Sequence, residues 1–175
     1  HSDSAGRYAF SRQPNIAYWN LFCLGQALLP LMDDQQQALD ALESYKTVYP
    51  DQLFARLGAK LGLLEVDDGD RVLCEDLLRL LAQGRVDHTV VWRRLSHAVA
   101  SGDREPVRDL FVDRDAADGW LARHRERIAS QGAEPTGRHM LQTNPKIVLR
   151  NHLGELAIRA AQTKDFSQVA QLLSL

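Results

Sequence analysis

The sequence predicts an all-α protein, and three observations carry that prediction. Apolar residues recur at helical spacing along almost all of the 175 residues, and no stretch alternates at period two for long enough to make a strand. Prolines, glycines and aspartates fall where helices would begin and end. With 45% apolar residues the chain is long enough for one core, burying roughly 70% of its unfolded surface.

The first helix is expected after Pro14, a residue suited to a first helical turn, with Leu21, Leu24, Leu28 and Leu31 on one stripe and a stop near Pro30. Asp33 or Asp34 can cap a second helix through Leu39, Leu42 and Tyr45 to about Tyr49, where Pro50 should interrupt it. A third segment, Leu53 to Leu63, carries Leu57 and Leu61 on one face, and its Gly58 and Gly62 suggest close packing against a neighbour.

The acidic turn Val66 to Asp70 supplies a cap for a helix burying Leu73, Leu77, Leu80 and Leu81 and ending near Gly84. Asp87 is the expected cap of the next, through Val91, Leu95 and Val99 to Gly102, and a short helix follows at Val107 to Phe111. The helix from Ala116 to about Ser130, rich in charge from Arg123 to Arg127 and broken off before Gly132 and Pro135, reads as the most exposed. Asn144 as cap and Pro145 at the first helical position open a long helix through Leu149, Leu153, Leu156 and Ala160. Phe166 to Leu173 forms a short final one.

Charge and composition narrow the function. The formal net charge is −2, from 21 basic and 23 acidic residues, so no general field attracts nucleic acid or an anionic membrane. No apolar run reaches the ~18 residues of a membrane span. Cys23 and Cys74 sit inside helical patterns, outside any metal-binding or redox spacing, and read as packed thiols. The start at His1 without Met, and the uncovered apolar residues Leu172, Leu173 and Leu175, lead to the expectation of a longer parent protein.

Several constellations resemble chemical sites and fail on spacing. A calcium loop starting at Asp113 would need an oxygen ligand, Gly and Glu at its fifth, sixth and twelfth places, which Ala117, Asp118 and His124 occupy; one starting at Asp67 has Leu78 in the twelfth. The histidines, His1, His88, His97, His124, His139 and His152, form no HExxH and no i, i+4 pair. No nucleophile elbow, Walker loop or GxGxxG is present. Arg93-Arg94 beside Trp92, and Arg123-His124-Arg125 beside Trp120, could present cations with aromatic platforms to a nucleic acid, but amphipathic helices place such arginines on their solvated face anyway. No catalytic, cofactor-binding or metal-binding residue is assigned.

Four ordered blocks carry a family resemblance. Gly6 to Leu31, GRYAFSRQPNIAYWNLFCLGQALLPL, resembles the pattern GRYxFxxQPxIxxWNLxxLxxxLxPL of the SelO, or selenoprotein-O-like, pseudokinase family. Arg56 to Leu63 contains that family's KLGL, and Asp87 to Leu95 resembles its aspartate-aromatic-threonine stretch ending in Arg-Leu. Met140 to Leu153 matches MxxxNPKxxLRNxL, followed by DFS at Asp165 to Ser167.

The resemblance implies a helical, C-lobe-like part of a protein-kinase-like fold. Residues 1–13 would link it to a preceding catalytic region and residues 14–175 would form the helical C-terminal domain. It implies a parent that transfers AMP from ATP to Ser, Thr or Tyr hydroxyls of proteins with Mg or Mn, while the family's nucleotide and metal residues all precede Gly6. The implied partners are that catalytic region and protein substrates, with neither nucleic acid nor membrane, and the implied compartment is the cytoplasm in bacteria and the mitochondrion in eukaryotes. The family's redox cysteine positions are matched by neither Cys23 nor Cys74. Arg7, Tyr8, Arg12 and Gln13 would either brace the active-site floor or tie the opening loop to the helices. The alternative from the residues alone is a stand-alone helical interaction domain without nucleotide chemistry.

Overall fold

The computed structural model describes residues 5–32 and 34–174, and every regular element among them is helical. Packing divides the chain into two units, His1–Leu57 and Gly58–Leu175.

In the first unit, α1 (Gln13–Leu28) starts with Pro14 in its first turn and gives way to a 3-10 turn, Leu29–Leu31, at Pro30. Helix α2 (Gln35–Leu61) begins beside Asp34, whose Oδ1 accepts the Gln36 amide at 2.8 Å; Asp33 lies outside the described residues. Two expectations are corrected here. Pro50 does not interrupt α2, and Leu53 to Leu61 is its last part rather than a separate helix. Proline deprives the carbonyl four residues back of its donor. That carbonyl belongs to Lys46, an exposed residue where water can take the donor's place, so the helix continues.

The first unit is held by a small tyrosine cluster. Tyr45 donates its hydroxyl to the Pro14 carbonyl at 3.0 Å, and its ring centroid lies 5.9 Å from that of Tyr18 and 5.1 Å from that of Tyr49. Among its described residues only Leu57 is buried. The stripe Leu21, Leu24, Leu28 and Leu31 is exposed, as is Trp19.

The second unit contains the core. Helix α3 (Asp68–Gly84) opens with a reciprocal capping box: Asp67 Oδ1 accepts the Asp70 amide at 3.1 Å and Asp70 Oδ2 accepts the Asp67 amide at 2.9 Å. It buries Leu73, Cys74, Leu77 and Leu81. Helix α4 (His88–Ser101) is capped by Asp87, which accepts the Thr89 and Val90 amides, and ends at Gly102 as expected. The short helix is α5 (Glu105–Arg108), slightly ahead of its expected place.

Helix α6 (Arg114–Ile128) is far from the most exposed. It buries Ala117, Trp120, Leu121, His124 and Ile128 and packs on α3, because its apolar and aromatic positions form a stripe that the intervening charges obscure. Helix α7 (Ala133–Thr143) was not foreseen; Gly132 and Pro135, which read as breakers, form its N-cap and first turn. It packs along α4 so closely that a Cβ on Gly137 would stand 2.6 Å from the Ala100 Cα. Gly62 ends the preceding turn at φ +80°, close against Thr136 and Met140.

The last long helix is also corrected. Asn144 does not cap it: residues 144–150 run without regular structure, and α8 (Asn151–Gln162) starts after Arg150, followed by α9 (Ser167–Leu173). The Asn144 side chain is committed elsewhere, and Ile147-Val148, two adjacent β-branched residues, favour extended backbone.

Candidate functional site

Asn144 is the hub of a buried polar cluster in the second unit. It is fully buried at the C-terminal end of α7. Its Nδ2 donates to the Lys60 carbonyl at 2.9 Å and to Ser96 Oγ at 3.0 Å, and its Oδ1 accepts from Lys60 Nζ at 3.2 Å. Ser96 in turn donates to the Trp92 carbonyl at 2.8 Å. Its Oδ1, the atom that would accept the first backbone amides of a following helix, is thus taken by the Lys60 ammonium.

The surroundings tune this cluster. Burial lowers the Lys60 pKa, and its ammonium lies 5.7 Å from the Trp92 ring centroid. The Trp92 indole N–H points at the His88 ring, 3.3 Å from either nitrogen, and burial holds the His88 pKa low, with the Lys60 charge adding to the effect. Arg93 Nη1 donates to the Leu141 and Asn144 carbonyls at 2.8 and 3.0 Å, placing a cation at the negative end of α7. Its Nε is buried without a hydrogen-bond partner.

A second cluster ties the turn after α2 to α6. Arg127 Nε and Nη2 meet Asp70 Oδ1 and Oδ2 at 2.7 and 2.8 Å, and Nη2 also donates to the Glu65 carbonyl at 3.0 Å. His124 stacks on Trp120 with centroids 5.1 Å apart, and its Nε2 lies 2.8 Å from the Leu61 carbonyl, so Nε2 carries the proton. Burial lowers the His124 pKa, which keeps the ring neutral. Trp120 Nε1 donates to the Leu73 carbonyl at 2.9 Å. Gln131 closes the turn by donating to the Gly62 carbonyl and accepting the Leu64 amide.

These groups hold backbone and one another; none forms a nucleophile, base and orienting partner in sequence. Among the described residues no group of three or more His, Cys, Asp or Glu could hold a metal ion. The aspartates of the spurious calcium loop are engaged by protein donors: Asp113 accepts the Ala116 amide at 3.0 Å and Asp118 pairs with Arg108 at 2.9 Å. Cys23 and Cys74 are both free thiols, and burial pushes Cys74 up to about 11, far from a reactive thiolate. Trp92 and Trp120 are 2% and 3% exposed, so neither offers a ring face on which a base could stack.

Concavities also occur among the described residues of this unit. One, of about 690 Å³, is lined mostly by apolar residues of α4 and α6 including Leu95, Val99 and Leu121. Another, of about 430 Å³, lies between the start of α4 and segment 146–153 and is edged by cations. In the first unit the Arg7 guanidinium sits 4.6 Å from the Trp19 ring centroid, next to Tyr8, while Arg12 and Gln13 are exposed. Sequence reasoning missed Asn144 as a hub. The usable signal was Pro145, since a residue before proline is driven to the extended region, where Asn144 is found at φ −97°, ψ 111°.

A family model described as protein adenylyltransferase SelO matches residues 1–175. The chain belongs to the SelO family. SelO relatives named protein nucleotidyltransferase YdiU occur in Variovorax paradoxus (58% identical over 175 residues) and Albidiferax ferrireducens (59% over 179), each matching all of this chain and 35% and 36% of its own length. The Myxococcus xanthus relative of the same name is 45% identical over 179 residues, with 36% of its length covered. The chain thus spans about a third of the length of the curated SelO relatives it matches. Its all-α architecture agrees with a C-lobe-like helical portion, and no helix among the described residues is long and apolar enough to cross a membrane.

Proposed function

We propose that this chain is the C-terminal helical portion of a protein adenylyltransferase that moves AMP from ATP to Ser, Thr or Tyr hydroxyls of other proteins, and that it serves as the catalytic region's support. The observation that carries the reading is a contrast: the whole chain matches the SelO family, yet His124, Arg127 and Asn144, the central polar side chains of its packed unit, are engaged with backbone carbonyls. ATP and Mg or Mn belong in this reading to the remainder of the protein, in keeping with the lack of any group of three or more His, Cys, Asp or Glu among the described residues that could hold a metal ion. The exposed stripe of the first unit supports the same assignment, because contiguous apolar surface favours a covering partner. A cytoplasmic parent belongs to the same proposal, in keeping with the bacterial relatives.

The test is transfer of label from ATP carrying it on the α-phosphate to a generic acceptor protein. The full-length protein should transfer it and this chain alone should not; transfer by the chain alone would sink the support role. A stand-alone interaction domain, the other reading, predicts no transfer by either. Arg7→Ala in the full-length protein sharpens the result: lost transfer at unchanged melting temperature assigns the opening segment to the active-site floor, and retained transfer leaves it as an anchor to Trp19.

A further inference from the structure

We infer that the groove between the first turns of α4 and segment 146–153 is a docking site for an extended, acidic segment of a protein partner. Its edge gathers Arg93, Arg94, Lys146 and Arg150, in a chain whose net charge is −2. Such a concentration of one sign in a concave site focuses potential and favours an anionic ligand. The nearby carboxylate, Asp87, is already engaged: it accepts the Thr89 and Val90 amides as helix cap and pairs with Arg150 Nη2 at 2.9 Å. Arg93 and Arg94 donate to carbonyls, which are neutral acceptors and leave their charge uncompensated: Arg93 to those of Leu141 and Asn144, Arg94 to that of Pro106. Lys146 is exposed and forms no ion pair with a described residue.

Two further observations select an extended peptide among anions. The backbone N–H groups of Lys146, Ile147, Val148 and Leu149 donate to no described residue, so this non-helical stretch offers main-chain donors as an edge strand does. Between the cations the groove is lined by Val90, Ile147, Val148 and Leu153, apolar ground for alternate side chains of a bound strand. A nucleic acid is disfavoured because no Phe, Tyr or Trp lines the groove and Trp92 of the same helix is buried. A bound strand would place carboxylates against Arg94 and Lys146 and an apolar side chain among Val90, Ile147 and Leu153.

The test uses the full-length protein and a fluorescein-labelled peptide in which glutamates alternate with leucines, followed by fluorescence anisotropy. Binding that weakens with added salt is expected, with affinity lowered about tenfold in the double variant Arg94→Glu, Lys146→Glu, since each reversal replaces a favourable exposed pair by a repulsive one. Unchanged melting of the variant confirms that the fold is intact, and Lys146→Glu alone, at a side chain without an ion pair, serves if the double variant fails to fold. Absence of binding, equal binding of a lysine-for-glutamate control peptide, or affinity untouched by the charge reversals would overturn the proposal. Tighter, reversal-sensitive binding of a single-stranded oligonucleotide would overturn it in favour of a nucleic-acid groove.

Discussion

The two units are written in the same helical code and packed to opposite ends of its range. Trp19 in the first is 50% exposed, whereas Trp92 and Trp120 in the second are 2% and 3% exposed. Leu31 is 84% exposed while Leu61, on the same kind of stripe, is fully buried. The second unit fastens its buried surface with polar ties between residues far apart in sequence, from Lys60 to Asn144 and from Asp70 to Arg127. Periodicity therefore specifies a helix and its apolar side. Whether that side is covered depends on what else the protein provides.

Substitutions can break this contrast. Trp92→Ala should have the largest effect, about 3–5 kcal/mol, since it empties a fully enclosed site and removes the ring beneath Lys60. Chemical denaturation of the protein measures it, and a loss below about 1 kcal/mol would mean the second unit is not the packed body described. Asp70→Ala comes next. It removes a carboxylate that is 2% exposed, answering both Arg127 and the Asp67 amide, and should cost about 2–3 kcal/mol, below the range for fully buried pairs because Arg127 is partly hydrated. Restoring most of that loss with Arg127→Leu in the same chain would separate the unpaired charge from the lost cap.

Acid should weaken the second unit through His124. Burial holds its folded pKa below the ordinary histidine value of about 6.5, so at lower pH the unfolded chain binds a proton that the folded one refuses. Stability is then full above about pH 6.5 and falls as pH drops below it. Denaturant midpoints between about pH 7 and pH 5 should decline, and His124→Gln should flatten that decline. The smallest effect belongs to the first unit: Leu31→Ala should change the stability of this chain by less than about 0.5 kcal/mol. A markedly larger change in the full-length protein would show that the stripe is covered there.

The sequence made much of this legible where local chemistry decides. Asp67 and Asp87 cap as their positions require, and Pro14 and Pro30 bracket α1. It was opaque where a distant partner overrides local preference. Asn144-Pro145 has the composition of a helix start, but Lys60 and Ser96, 84 and 48 residues away, claim the side chain. Pro50 has the composition of a stop, but the residues on both sides favour one continuous helix. Helix α7 was hidden because Gly132 and Pro135 were weighed as breakers, when the same residues serve equally as a helix beginning. The absence of an assigned catalytic residue came from missing motifs, whereas the cationic groove needed the third dimension to bring Arg93 and Arg94 beside Lys146 and Arg150.

The Asn144 hub also sets an order of events during synthesis. The Lys60 carbonyl and Ser96 hydroxyl reach the tunnel exit well before Asn144, so the emerging helices carry unanswered polar groups until α7 has been made. Joining residues that far apart requires closure of a long loop, which places the final locking of this unit late in folding. A chain cut short of residue 144 would thus stay loosely assembled, its α4 and the end of α2 without the side chain that joins them.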